Sequence, residues 1–211
     1  CYLGMVLHAR PGNTGGNRSP LQVGAELYGH KGIESDTEVL CLMIETLKKA
    51  GIEKIHVDLG HVGVYYNLVQ LTKLNEDTEL ELFDVLQRKA MPELNDMISE
   101  GSLSAEAGKM FKALMTANGV IDDFKEARAS FENTNSEIKH CLDELQNIFE
   151  LVSKRRPGVT LNFDLSELRG YHYHTGIVFT AYVPGCGQGI AFGGRYDDIG
   201  SAFGRARPAT G

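Results

Sequence analysis

The chain lacks any apolar run approaching the length of a membrane-spanning helix, so nothing in it reads as a helical anchor. It also lacks paired cysteines. Cys1, Cys41, Cys141 and Cys186 are scattered, which removes the CxxC basis of a structural zinc site, and isolated thiols suit a reducing cytoplasm. They read as small buried hydrophobes. There is no GxxxxGK[ST] loop, no GxGxxG between a strand and a helix, no HExxH and no GxSxG, so the usual nucleotide, metallopeptidase and serine-hydrolase signatures are missing. A basic excess is missing too: the net charge is −7, the wrong sign for a broad nucleic-acid-binding surface. Cys1-Tyr2-Leu3-Gly4 has no initiator Met and no basic stretch ahead of an apolar core, so it does not resemble a signal peptide. Both ends read as cuts within a longer protein.

What is present suits a folded core: 211 residues, 42% of them hydrophobic. Residues 1–8 read as a strand and 10–20 as a loop. Residues 21–29 alternate with period two, Leu21, Val23, Ala25 and Leu27 on one side and Gln22, Gly24, Glu26 and Tyr28 on the other. Ser35-Asp36-Thr37-Glu38 has capping-box spacing and opens a helix to about Ala50, with Val39, Leu42, Met43 and Leu47 as its apolar stripe. A strand over 54–59 and a helix over 62–71 follow. From residue 76 glycine becomes sparse and helical periodicity dominates, over 76–88, 91–99, 105–116, 122–130 and 136–154. Strands are predicted again over 159–165, 177–183 and 189–193, the last two as a hairpin. The expected organisation is α+β: a sheet-forming part at 1–75, a helical insert at 76–155 and a second sheet-forming part at 156–211. Antiparallel pairing is expected, because crossover helices do not regularly separate the strands.

The chemistry-bearing residues cluster in Asp164–Gly176 and in Gly193-Gly194-Arg195-Tyr196-Asp197. Arg169 beside Gly170 can hold a carboxylate bidentately. Gln22 and Glu26 can accept from an ammonium or imidazole N–H, and Tyr173 and His174 can close over a small side chain. The expected ligand-binding set is therefore Gln22, Glu26, Arg169, Tyr173 and His174. His172 and His174 could share a strand face, but a third metal ligand is not evident, so neither metal nor cofactor is expected. Arg195 serves either a ligand or a turn locked by Asp197, and Tyr171 and His172 read as packing residues.

These residues carry a resemblance. Arg-Gly-Tyr-His-Tyr-His-Thr-Gly-Ile-Val-Phe resembles the histidine-specific segment of histidyl-tRNA synthetases, where the pattern is Arg-Gly-Leu-Asp-Tyr-Tyr before a Thr-Val-Phe strand. Gly193-Gly194-Arg195-Tyr196-Asp197 is similar to the GGRYD motif of that superfamily, Gln22-x-Gly24-x-Glu26 to the strand after motif 2, and Asp36 to the acidic residue opening the next helix. The resemblance implies a class II aminoacyl-tRNA synthetase-like antiparallel sheet with helices and a helical insert. It fails in motif 2, where Val6-Leu7-His8-Ala9-Arg10-Pro11 sets Leu7 at the family's arginine and Ala9 at its glutamate. Leucine cannot neutralise the α-phosphate during adenylate formation. The flipping-loop region 12–16 is nearly uncharged, and His172 and His174 replace the Asp and second Tyr of the histidine motif. With the closing Ala-Phe-Gly-Arg-Ala-Arg-Pro-Ala-Thr-Gly, the chain resembles the regulatory-subunit family of short-form ATP phosphoribosyltransferase. That resemblance implies a non-catalytic subunit that activates a separate short catalytic subunit in the first step of histidine biosynthesis and takes part in feedback inhibition. It also implies self-association through the synthetase-like domain and histidine as a possible ligand of the five residues above. Nucleic acid and membrane are not expected partners, and the location is cytoplasmic. The competing expectation is a fragment of an active histidyl-tRNA synthetase catalytic domain.

Overall fold

A computed structural model describes residues 1–8 and 18–211. Ala9, the loop region 12–16 and most of the loop predicted at 10–20 lie outside the described residues. Among the described residues, no helix is long and apolar enough to cross a membrane.

The molecule is built on a mixed five-stranded sheet. Its strands are β4 (His56–His61), β5 (Asn118–Val120), β6 (Thr160–Asp164), β7 (Ile177–Tyr182) and β8 (Ala191–Gly194), in spatial order β5-β6-β4-β7-β8. Pairing is antiparallel except between β4 and β6, where His56 lies opposite Thr160 and Leu59 opposite Phe163 in parallel. That pair departs from the antiparallel expectation. A parallel pair needs a long crossover, and the helices between the two strands supply it. Those helices are α2 (Val62–Thr72), α3 (Glu76–Gln87), α4 (Met91–Ser99), α5 (Ala105–Thr116), α6 (Phe124–Ala129) and α7 (Ser136–Arg155). Asn75, Ser104 and Asn135 cap α3, α5 and α7, each side chain accepting from an N–H of the first turn. The predicted α7 stripe of Leu142, Leu145, Ile148, Phe149 and Val152 is fully buried. Phe149 and Phe163 both pack against Phe124, so α7, α6 and β6 share one aromatic contact chain.

Helix α1 (Ile33–Lys49) departs from its predicted start. Gly32 occupies the N-cap position and Ser35 lies in the first turn. The Ser35 hydroxyl donates to Gly32 O at 2.7 Å instead of capping. The buried face is also turned: Val39, Leu40, Cys41 and Ile44 are buried, while Leu42 is exposed. The reason is that Asp36 and Thr37 are drawn inward on the same side. Of the cysteines, Cys41 and Cys141 are buried, whereas Cys1 and Cys186 are exposed.

Two short pairings complete the scaffold. Strands β1 (Tyr2–Met5) and β2 (Leu21–Gly24) form an antiparallel hairpin, and β3 (Leu27–Tyr28) pairs with β9 (Ala209–Thr210). The alternation expected across 21–29 breaks at Ala25-Glu26 between β2 and β3. Cross-strand partners Leu3 and Val23, and Met5 and Leu21, leave one apolar hairpin face exposed. Beyond β8, Gly194 exchanges backbone bonds with Gly211 and Tyr196 N donates to Ala209 O, so β9 and β3 run on from the main sheet's edge.

At the far end of β4, His61 is buried and caps α2: its Nδ1 accepts the Gly63 N–H at 3.1 Å. That assigns the proton to Nε2, which donates to the Glu144 carboxylate of α7 at 3.2 Å. The His61 bond, the largest influence, holds Glu144 below its ordinary value, while burial opposes it. A carboxylate with a depressed folded value contributes stability above its unfolded value and loses it on acidification. Glu144→Gln is therefore expected to cost about 1 kcal/mol at neutral pH. The gap from wild type should close as the pH falls below 4.5 and through the depressed folded value, as read by urea unfolding at a series of pH values.

Candidate functional site

The site forms where the β1–β2 hairpin, the 25–28 segment that leads into β3, the 164–176 turn and the edge formed by β8 and β9 meet. Arg195, just past β8, is its frame. It is buried to 7% exposure, and Asp36 to 3%. Its Nη2 pairs ionically with Asp36 Oδ1 at 2.8 Å and donates to Ser35 Oγ at 2.8 Å and to Gly32 O at 3.1 Å. Its Nε reaches Asp36 Oδ2 at 3.1 Å, and its Nη1 reaches Asp197 Oδ1 at 3.1 Å and His30 O at 3.4 Å. Burial pushes the Asp36 carboxyl up and the Arg195 bonds oppose it. The guanidinium is thus spent on pinning α1 to the sheet edge. Of the two roles left open by sequence, the lock with Asp197 is present and extends to α1.

Above this frame lies a cluster of aromatic and acidic side chains. Tyr173 stacks on Tyr196, ring centroids 4.9 Å apart and planes 23° apart. The buried Tyr196 hydroxyl donates to Glu26 Oε2. Burial pushes the Glu26 carboxyl up. Burial, then the nearby Glu26, Tyr28 and Tyr2, raises the Tyr173 phenol. The Glu26 carboxyl also packs on Gly211, where a side chain would collide with it. On the hairpin, Gln22 donates to the Tyr2 hydroxyl at 2.6 Å. Glu26 and Tyr173 therefore meet around Tyr196, and Gln22 faces them through Tyr2. Tyr2, Tyr28 and Tyr196 belong to this cluster and were not assigned by sequence reasoning. Tyr196 stood in the GGRYD segment, and that motif was the available signal.

The other two candidates are placed differently. His174 is wedged between glycines: a Cβ on Gly170 would lie 2.7 Å from its ring, and one on Gly194 2.8 Å. Gly170 has φ +69°, a left-handed value that favours glycine, and a side chain there would press on the His174 ring, so this turn depends on it. The His174 Nδ1 is 3.3 Å from Arg195 O, and burial lowers its basicity, so it donates as a neutral ring. Arg169 lies over the Phe192 ring at 4.8 Å, with its backbone N–H on Glu167 Oε1 at 2.9 Å. Its side chain is half exposed, and these contacts lie outside the predicted set. Leu7, set at the synthetase arginine by the motif 2 resemblance, is 78% exposed and brings no charge. Among the described residues, no group of three or more His, Cys, Asp or Glu side chains could hold a metal ion.

Residues 1–211 match the histidyl-tRNA synthetase family. An ATP phosphoribosyltransferase regulatory subunit from Thioalkalivibrio sulfidiphilus is 52% identical over 100% of this chain and 53% of its own length. One from Pseudomonas aeruginosa PAO1 is 50% identical over the same shares. The chain thus spans about half the length of the curated relatives it matches. A solved ATP phosphoribosyltransferase regulatory subunit/histidyl-tRNA synthetase from Bacillus halodurans superposes with a TM-score of 0.86 at 29% identity, over 99% of this chain and 54% of that one. The fold is therefore the synthetase-like α+β fold expected from the sequence.

Proposed function

The chain belongs to the histidyl-tRNA synthetase family, and on that premise we propose that it is part of a non-catalytic regulatory subunit of ATP phosphoribosyltransferase. In this role the whole protein binds a separate short catalytic subunit and raises its turnover in the first step of histidine biosynthesis. The observation that carries this is the run of about 50% identity, over the whole chain, to proteins named as that regulatory subunit. The exposed, uncharged Leu7 where a synthetase needs its arginine supports it from chemistry. The 76–155 helical segment is taken as the family's insert and the flanking parts as the sheet domain. Self-association, a cytoplasmic location and independence from nucleic acid and cofactor belong to the same proposal. The test is whether the full-length protein co-purifies with the short catalytic subunit and changes its turnover.

The cluster of Glu26, Tyr173 and Tyr196 suits a small amphiphilic cation, and Arg169 supplies the carboxylate partner. We take L-histidine as the ligand and feedback as its consequence: it must bind one arrangement of the complex more tightly than another. Arg169→Ala in the full-length protein is expected to weaken L-histidine binding by roughly 10- to 100-fold, the loss of a charge-assisted bond to the carboxylate. Isothermal titration reads it. Unchanged affinity would remove Arg169 from the site.

A further inference from the structure

The two residues between Gly170 and Tyr173 turn away from this cluster. Tyr171 inserts between two helices: its ring meets Tyr65 of α2 edge-on, centroids 5.0 Å apart at 83°, and Phe83 of α3 at 5.3 Å. His172 adds a second ring contact to Phe83 at 5.7 Å. Tyr65 in turn packs on Phe83 at 5.9 Å and on Phe111 of α5 at 6.3 Å, and is fully buried. The turn that carries Tyr171 is tight: Tyr171 N donates to Leu168 O at 3.0 Å, and the amides of Tyr173 and His174 donate to Gly170 O at 2.7 and 2.8 Å. Within one turn the chain therefore sends Tyr171 into the helices and Tyr173 onto Tyr196 in the cluster. Tyr171 and His172 stand where the synthetase-like pattern has Leu and Asp.

We propose that Tyr171, seated between Tyr65 and Phe83, is a positioning residue through which α2 and α3 set the shape of the Arg169–His174 turn and hence of the cluster. The affinity half of this inference rests on the cluster binding L-histidine, whereas the positioning half does not. The amides of this turn bond to acceptors within residues 167–170, and Thr175 N donates to Arg195 O just beyond it, so the turn's own position depends on what its side chains grip. Here the grip on one side is the aromatic seat in the helices, and on the other the Tyr173–Tyr196 stack and the His174 wedge. Loosening the seat frees the turn while leaving every side chain of the cluster unchanged.

The test uses the full-length protein with Tyr171→Ala, Tyr171→Phe and Phe83→Leu, read by amide hydrogen exchange and by titration with L-histidine. Exchange at residues 171, 173 and 174 should rise about tenfold or more in Tyr171→Ala and Phe83→Leu, against unchanged protection in the β4–β7 pair. L-histidine affinity should fall about tenfold in the same variants. Tyr171→Phe should match wild type in both, because the ring and not the hydroxyl fills the seat. Unchanged exchange at the turn in both Tyr171→Ala and Phe83→Leu overturns the proposal, as does exchange that rises equally throughout the sheet. If Tyr171→Ala does not fold, Phe83→Leu decides, since it removes the ring contact and retains an apolar side chain. If wild-type protein takes up no L-histidine, the ligand assignment fails by itself, and the exchange arm still decides the role of Tyr171.

Discussion

Arg195→Ala is expected to lower stability by about 3–5 kcal/mol, the cost of leaving a buried carboxylate without its partner. Over a domain of this size that is roughly a 10 °C fall in the thermal midpoint. Asp36 is buried, its Oδ1 and Oδ2 face the guanidinium at 2.8 and 3.1 Å, and Ser35 and Gly32 depend on the same group. Without Arg195 the first turn of α1 loses its tie to the sheet edge. Arg195→Lys should recover little, because a single ammonium cannot match a fork reaching Asp36, Ser35, Gly32, His30 and Asp197 at once. Removing both charges, as in Arg195→Met with Asp36→Leu, should cost clearly less than the sum of the single changes. Calorimetric scans of the four proteins measure this. Additive losses would show that Arg195 and Asp36 act independently.

The full-length protein should show histidine-dependent pyrophosphate exchange at background. Removing one preorganised charge that stabilises a developing anion costs about 10²–10³ in rate. By the motif 2 resemblance Leu7 stands at the arginine position and Ala9 at the glutamate position, which removes two groups at once. The combined loss should reach at least about 10³-fold relative to a synthetase. Leu7→Arg alone should not restore exchange, because Ala9 still provides no carboxylate. Exchange well above background in the wild type would return the chain to the synthetase alternative.

The helices were legible because each is long enough for its apolar stripe to repeat: α4, α5 and α7 fall within a residue of their expected bounds. What escaped was short or non-local. β5 spans Asn118–Val120 and β9 only Ala209–Thr210, too few residues for alternation to register. The parallel β4–β6 pair depends on where the helices return the chain, which no local pattern encodes. The start of α1 was misplaced because Ser35, a good cap by residue type, is held by Arg195 from a strand far along the chain. In the site, motif spacing drew out Glu26 and Tyr173, which meet at Tyr196. It gave no warning that Arg169 would rest on Phe192, that His174 would sit between two glycines, or that Tyr171 would point into the helices. Side-chain direction within a tight turn is set by tertiary contacts, and sequence spacing is blind to it.

The most direct measurement is the turnover of the short ATP phosphoribosyltransferase catalytic subunit, assayed alone and with the full-length form of this protein, each with and without L-histidine. The account predicts faster turnover in the pair than in the catalytic subunit alone, and suppression of the pair by L-histidine that Arg169→Ala weakens. Turnover no faster in the pair than in the catalytic subunit alone would contradict it.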